Sequence, residues 1–145
     1  MNTKPSITLS FVDWSTHQTE LYAIRYQVFV QEQQVPEELE QDEFDAQSTH
    51  ILARAANGAA IGTGRLLPDG HIGRVAVLAE WRKYGIGKRI MEALIDQARI
   101  QGHQLVALNA QVDALDFYRK LGFQAKGETF LDAGIVHQSM YRQLL

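Results

Sequence analysis

The chain has 145 residues, 46% hydrophobic and 21% charged, with a net charge of −3. This is the size and balance of one ordinary globular domain, and the acidic balance opposes nonspecific nucleic-acid binding. The lack of cysteine excludes disulfides, a thiol nucleophile and a cysteine zinc site, while MNTKPSITLS holds no apolar leader and no run is long enough to span a membrane, so a soluble cytoplasmic protein is expected.

In chain order, Ile7 to Val12 alternates as a strand, with Ile7, Leu9 and Phe11 on one face. Asp13 to Thr19 reads as a turn with cap candidates, and Glu20 to Gln31 as a helix with Leu21, Ile24 and Val28 on one face. Tyr22, Tyr26 and Phe29 beside them read as core. Next comes QEQQVPEELEQDEFDAQSTH, which carries Glu32, Glu37, Glu38, Glu40, Asp42, Glu43 and Asp45 and no Lys or Arg. Two readings stand for this run: a solvated acidic loop, or an electrostatic funnel for a cationic amine.

Thr49 to Ala56 and Ala60 to Leu67 read as two strands joined by Asn57-Gly58, a strong hairpin signal. Pro68-Asp69-Gly70 is a further turn, and His71 to Val77 the next strand. A helix follows and ends near Gly102. Gln104 to Asn109 reads as a buried strand, Val112 to Leu121 as a helix capped by Gly122, and Phe123 to Lys126 and Gly134 to Leu144 as strands. The pattern is mixed α/β, one domain over residues 1–145, with a crossover that implies a parallel pair in a mostly antiparallel sheet.

Val75 to Ile90, VAVLAEWRKYGIGKRI, organises the rest: strand, basic glycine-rich turn, then apolar residues at helical spacing. The first turn of a helix has unpartnered N–H groups and partial positive charge, and glycines let a bulky ligand approach. Arg82, Lys83 and Lys88 add full charge, so the stretch suits phosphate. It is neither a P-loop, because Arg89 follows Gly87-Lys88, nor a dinucleotide fingerprint, because Ile90 stands three residues after Gly87.

What remains is Arg-x-x-Gly-x-Gly at Arg82, Gly85 and Gly87, which resembles the pyrophosphate-binding motif of the GNAT superfamily of N-acetyltransferases. The likeness to its ElaA-like branch extends over Tyr26-Gln27-Val28-Phe29-Val30, Glu32-Gln33, Val35-Pro36, Asp42-Glu43-Phe44-Asp45, His50, Gly62-Thr63-Gly64-Arg65-Leu66 and Arg74-Val75. It continues through Leu108-Asn109-Ala110-Gln111, Phe117-Tyr118, Leu121-Gly122-Phe123, Gly134-Ile135, His137 and Met140.

The resemblance implies a GNAT fold in which helices flank a mostly antiparallel sheet with a splayed parallel strand pair. It implies acetyl-CoA as donor, a small-molecule or peptide amine as acceptor, and no metal. Family members often pair, so a homodimer is consistent with it. It puts the pantetheine arm along Val75, Ala76 and Val77, and the pyrophosphate on Arg82, Lys83, Tyr84, Gly85, Ile86, Gly87 and Lys88. Asn109 and Phe117 fall near the cofactor, and Tyr118 faces its sulfur as the group that protonates the departing thiolate. Acetyl transfer also needs an oxyanion donor, for which the Val77 N–H is available, and a base for the ammonium.

His71-Ile72-Gly73-Arg74-Val75-Ala76-Val77 lacks the acid that many GNAT enzymes carry there. His137, or Asp42, Glu43 and Asp45 acting through water, are candidate bases, Glu80 reads as a cap or surface residue, and His50 is a candidate for ordering the acidic segment. The competing functional class is a non-catalytic acyl-CoA-binding or sensing domain, since a fold does not by itself fix an activity.

Overall fold

The computed structural model describes residues 5–40 and 42–145. Residues 1–4, within the stretch read for a leader, and Gln41, within the acidic run, lie outside the described residues. The strands β1 (Ile7–Val12), β2 (Thr49–Ala55), β3 (Ala60–Leu66) and β4 (Ile72–Val77) form an antiparallel sheet in that order. A second sheet has the order β5 (Leu105–Gln111), β7 (Ile135–Gln143), β6 (Gln124–Asp132). The two meet at a parallel bridge between His71 and Ala107. So β4 and β5 are a splayed pair, held at one end and open at the other, as the resemblance implies.

The β2–β3 hairpin turns where expected. Gly58 takes φ 87°, and the Ala59 N–H donates to the Asn57 side chain at 3.0 Å. Helix α3 (Ile86–Ile100) buries Ile86, Ile90, Met91, Leu94, Ile95 and Ala98, the period of a one-sided helix. It lies so close on β3 that a Cβ on Gly64 would stand 2.8 Å from Ile90 and 2.9 Å from Leu94. A smaller cluster of Leu21, Ile24, Val28, Leu52 and Ala76 packs helix α1 (Trp14–Arg25) on the opposite face.

Several expectations are corrected. The first helix starts at Trp14, not Glu20, because the Asp13 carboxylate caps it, accepting from the Thr16 N–H at 2.9 Å and the Ser15 hydroxyl at 2.7 Å. Its polar first turns face water, so they lack the apolar period that marks a helix. It passes into a π-helical turn, Tyr26–Glu32, followed by the short helix α2 (Glu37–Glu40). The helix expected over Val112 to Leu121 opens as a 3₁₀ turn, Val112–Ala114, and α4 covers Leu115–Lys120. Strand β6 runs on to Asp132, because a bulge between Lys126 and Phe130 carries the pairing past Gly127. Only alternate residues of β5 are buried (Val106, Leu108, Ala110), since its other face opens on the splay. On the β1 face, Ile7 and Leu9 pack against the core while Phe11 is exposed. No helix among the described residues is long and apolar enough to cross a membrane.

Candidate functional site

At the open end of the splay, β4 presents an unpaired edge. The Leu78 N–H donates to Ile61 O of β3 at 2.9 Å, so by strand alternation the Val77 N–H points the other way, into the splay. The side chains of Val75 and Val77 pack in the α3 core and Ala76 in the α1 core, so these residues offer a ligand their backbone. A bulge between β3 and β4 gives Arg74 a positive φ of 51°, sparsely populated for a residue with a Cβ.

The basic turn expected to take phosphate follows a 3₁₀ turn, Ala79–Trp81. Lys83 (φ 81°) and Gly85 (φ 74°) are left-handed and curl the backbone into the head of α3. The first helical bond runs from the Arg89 N–H to Gly85 O, and among the described residues the N–H groups of Lys83 to Lys88 find no intramolecular acceptor. A run of free donors at a helix head is a ready anion site. A Cβ on Gly87 would meet Phe117 at 3.7 Å, so Phe117, 38% exposed, walls this turn. Lys83, Tyr84 and Lys88 are exposed, while the Ile86 side chain is core and leaves only its N–H for a ligand.

Arg82 differs from the sequence expectation. Its guanidinium forms a bidentate pair with Glu32 at 2.6 and 2.7 Å, and its Nε donates to Val77 O at 2.9 Å. Its charge is committed to the protein, whereas Lys83 and Lys88 are exposed and make no ion pair among the described residues. Next to Glu32, the side-chain Oε1 of Gln33 accepts from the side-chain Nε2–H of Gln111 at 2.8 Å. Glu32 and Gln33 thus tie the two lips of the splay together, one beyond the end of β4 and one at the end of β5. Sequence patterning gave no signal for this, because the partners stand 50 and 78 residues away.

A cleft of about 620 Å³ lies in the splay. It brings together Val75, Asn109, Tyr118 and His137 and leaves Arg82 to Lys88 and Phe117 outside, around the helix head. Asn109 accepts from the Ser139 hydroxyl at 2.9 Å. Tyr118 is wedged edge-on between Phe117 and Phe123 at ring distances of 5.0 and 6.0 Å. Burial pushes its phenol above the usual range, and its hydroxyl has no partner among the described residues. It stays protonated, a donor awaiting an acceptor. His137 stacks on Phe130. Its Nδ1 lies 2.8 Å from Ile135 O, and a carbonyl only accepts, so Nδ1–H donates and Nε2 is the nitrogen left to face the cleft chemistry.

The acidic segment divides: Glu40, Asp42 and Asp45 are held by arginines, while Glu37, Glu38 and Glu43 are exposed to solvent. Arg25 pairs with Glu40 and, at 2.8 and 3.1 Å, with both carboxylate oxygens of Asp45. Arg65 reaches Asp42 at 2.8 Å and Asp45 at 3.0 Å. Arg74 donates to Glu40 O at 2.9 Å and meets Asp42 at 3.3 Å. Glu40 and Asp45 are buried, and despite partial burial, Arg65 and Arg74 hold the Asp42 carboxyl below its usual range. The His50 Nε2–H donates to Asp45 O at 2.8 Å, so His50 does order the segment. Burial lowers its pKa and keeps the ring neutral. These carboxylates brace the cleft wall and do not stand free as bases. Glu43, exposed, does not line the cleft, nor does Glu80. Among the described residues, no group of three or more His, Asp or Glu side chains is arranged to hold a metal ion.

Residues 13–144 match the family described as Acetyltransferase (GNAT) domain. The uncharacterized N-acetyltransferase YjcF of Bacillus subtilis is 40% identical over 125 residues, 83% of this chain and 89% of the relative. An acyl-CoA N-acyltransferase from Pseudomonas aeruginosa superposes with a TM-score of 0.84 at 29% identity, covering 94% of this chain and 99% of that one. Escherichia coli ElaA does so with a TM-score of 0.85 at 26% identity, covering 95% and 100%.

Proposed function

The chain belongs to the GNAT acetyltransferases, and from that premise we propose that it moves the acetyl group of acetyl-CoA to a primary amine by direct attack in a ternary complex. The observation that carries this reading is the run of free N–H groups from Lys83 to Lys88 at the head of α3, beside an unpaired β4 edge. The pyrophosphate sits on those donors, with Lys83 and Lys88 adding charge. The pantetheine arm lies along Val75 to Val77, with Asn109 facing it from β5. The thioester carbonyl then meets the Val77 N–H.

His137 Nε2 takes a proton from the acceptor ammonium. The amine nitrogen attacks the thioester carbon, and the Val77 N–H stabilises the oxyanion. As the intermediate collapses, the carbon–sulfur bond breaks, the Tyr118 hydroxyl protonates the leaving thiolate, and the remaining extra proton on the nitrogen passes to the Tyr118 phenolate, leaving a neutral amide and a free thiol. The half-buried phenol, without a partner among the described residues, supports that role, since it stays a donor at neutral pH. A small amine in the cytoplasm is the acceptor we assign. The test is Gly85→Glu, which puts a carboxylate where the pyrophosphate sits. Calorimetry is expected to show severe loss of acetyl-CoA affinity, and unchanged affinity in a folded variant would remove the phosphate site.

A further inference from the structure

Two arginines in the cleft wall bear on what else the acceptor carries, granted the transferase reading above. Arg65 on β3 and Arg74 on β4 both line the cleft, and their strands are neighbours in the first sheet. Arg65 is 5% exposed. Its Nη1 donates to Asp42 at 2.8 Å and to Asp45 at 3.0 Å. Its Nε is buried without a partner, and its Nη2 makes no hydrogen bond among the described residues. Arg74 uses Nε and Nη2 on Glu40 O, at 3.2 and 2.9 Å, and Nη2 on Asp42 at 3.3 Å. Its Nη1 has no partner among the described residues. A guanidinium has five N–H donors, so both side chains join the ionic cluster and still have donors left over.

Three carboxylates, Glu40, Asp42 and Asp45, face three guanidiniums, Arg25, Arg65 and Arg74. The balance at Arg74 is nonetheless positive. Burial, then the like charges of Arg65 and Arg25, push its pKa below the ordinary arginine value, against the pull of Asp42 and Glu40. A further anion there would replace lost hydration and offset the repulsion. The Arg74 backbone is also held at φ 51° by the β3–β4 bulge, and strain of this kind gathers at ligand sites.

The far side of the cleft suits a cation. His137 on β7 and Asp132 at the end of β6 line it from the second sheet. Asp132 is exposed and makes no ion pair among the described residues. Asp69 and His71 line the cleft too, exposed and 3.0 Å apart, where the two sheets meet. Glu40 is buried and paired with Arg25, and Glu38 and Glu43 are exposed and do not line the cleft. Spare donors thus stand on the β3–β4 side, and a spare carboxylate beside the candidate base on the β6–β7 side.

We propose that the acceptor is a primary amine that also carries a carboxylate, with the carboxylate seated on Arg65 and Arg74 and the ammonium lying toward His137 and Asp132. One strand spacing is about 4.8 Å, more than the two bonds between the charged groups of an α-amino acid can span. The site therefore fits an ω-amino acid.

The test sets γ-aminobutyrate and ε-aminocaproate each against its own carboxamide, in a thiol-release assay with saturating acetyl-CoA. Each pair shares its chain and amine and differs in the negative charge. The expected result, in at least one pair, is a kcat/KM for the acid higher by roughly tenfold or more, the scale of a hydrogen bond to a charged group. In Arg74→Gln that ratio should fall toward one, through KM, and Arg74→Lys should keep more of it. A purely structural role for Arg74 would slow acid and amide alike and leave the ratio unmoved. Equal or better use of the amide in both pairs, an unchanged ratio in folded Arg74→Gln, or thiol release with simple alkylamines but with neither acid, overturns the inference and leaves the transferase standing. Should Arg74→Gln fail to fold, the ratio in the unaltered chain decides alone. Binding of acetyl-CoA with no thiol release from any amine overturns the transferase reading and this inference with it.

Discussion

At the residue scale, the proposed chemistry divides between two side chains whose surroundings differ. Tyr118 is a phenol kept in its acid form by apolar neighbours, and His137 is an imidazole whose tautomer is fixed by a backbone carbonyl. Tyr118→Phe is expected to lower kcat by about 10²–10⁴-fold, the span of general acid–base catalysis, with acetyl-CoA affinity unchanged by calorimetry. Equal turnover would leave the ring as packing alone. The upward shift of Tyr118 also has a direction in pH. The acid form does the work, so the alkaline fall in kcat that Tyr118 sets should lie above the ordinary tyrosine value of about 10, and Tyr118→Phe should erase that limb. For the base, the sequence offers both His137 and the acidic run. Side-chain pairing distinguishes them: Asp42 and Asp45 are held by arginines, Glu43 lies outside the cleft, and His137 Nε2 has no partner among the described residues.

At the element scale, the acidic run is a structural brace. Asp45 faces both Arg25 and Arg65 in a buried setting. Asp45→Asn is therefore expected to destabilise the fold by about 3–5 kcal/mol, because it strands buried guanidinium charge, and denaturant unfolding would read this. A KM change for a cationic acceptor is not the expectation, as it would be for a funnel. His50, against Asp45 O and 5.2 Å from the Trp14 ring, adds a pH dependence. Its folded pKa lies below the ordinary 6.5, so its contribution is complete above that value and is lost as pH falls from there toward the folded value. Asp42, with a folded pKa below 3.8, loses its contribution at lower pH still, in the same direction. Tm should thus fall as the solution is acidified below 6.5, and His50→Gln, which keeps an N–H donor without a titrating ring, should flatten the first part of that fall. A Tm profile identical to that of the unaltered chain would remove His50 from the account. The Glu32–Arg82 pair belongs to the same scale. Glu32→Gln should release Arg82 from Val77 O and lower kcat more than it weakens acetyl-CoA binding, because the free N–H groups of the turn do not depend on it.

At the scale of the whole molecule, two antiparallel sheets touch at the His71–Ala107 bridge and part toward the ligand end. What was legible in the sequence was what is local. The Asn57-Gly58 turn, the helical period of Ile86, Ile90 and Leu94, and the glycines of the phosphate turn all carry their signal within a few residues. The crossover between β4 and β5 was legible too, as a connection. That it would leave only a bridge in place of a ladder came from the family likeness, because no local pattern records a missing strand pairing. The arginine–carboxylate cluster was not legible. Arg25, Arg65 and Arg74 are spread over α1, β3 and β4, 15 to 34 residues from the acids they hold, and a run of acids alone does not say who pairs with it. The early end assigned to β6 has the same origin, since a bulge is set by the partner strand β7.

The most direct measurement is thiol release from acetyl-CoA with and without an added primary amine, with the product identified by mass. Release that depends on the amine, with the amine recovered in its acetylated form, is the predicted result. Tight acetyl-CoA binding with no acetylated product from any amine would contradict it and leave a domain that holds the acyl donor without spending it.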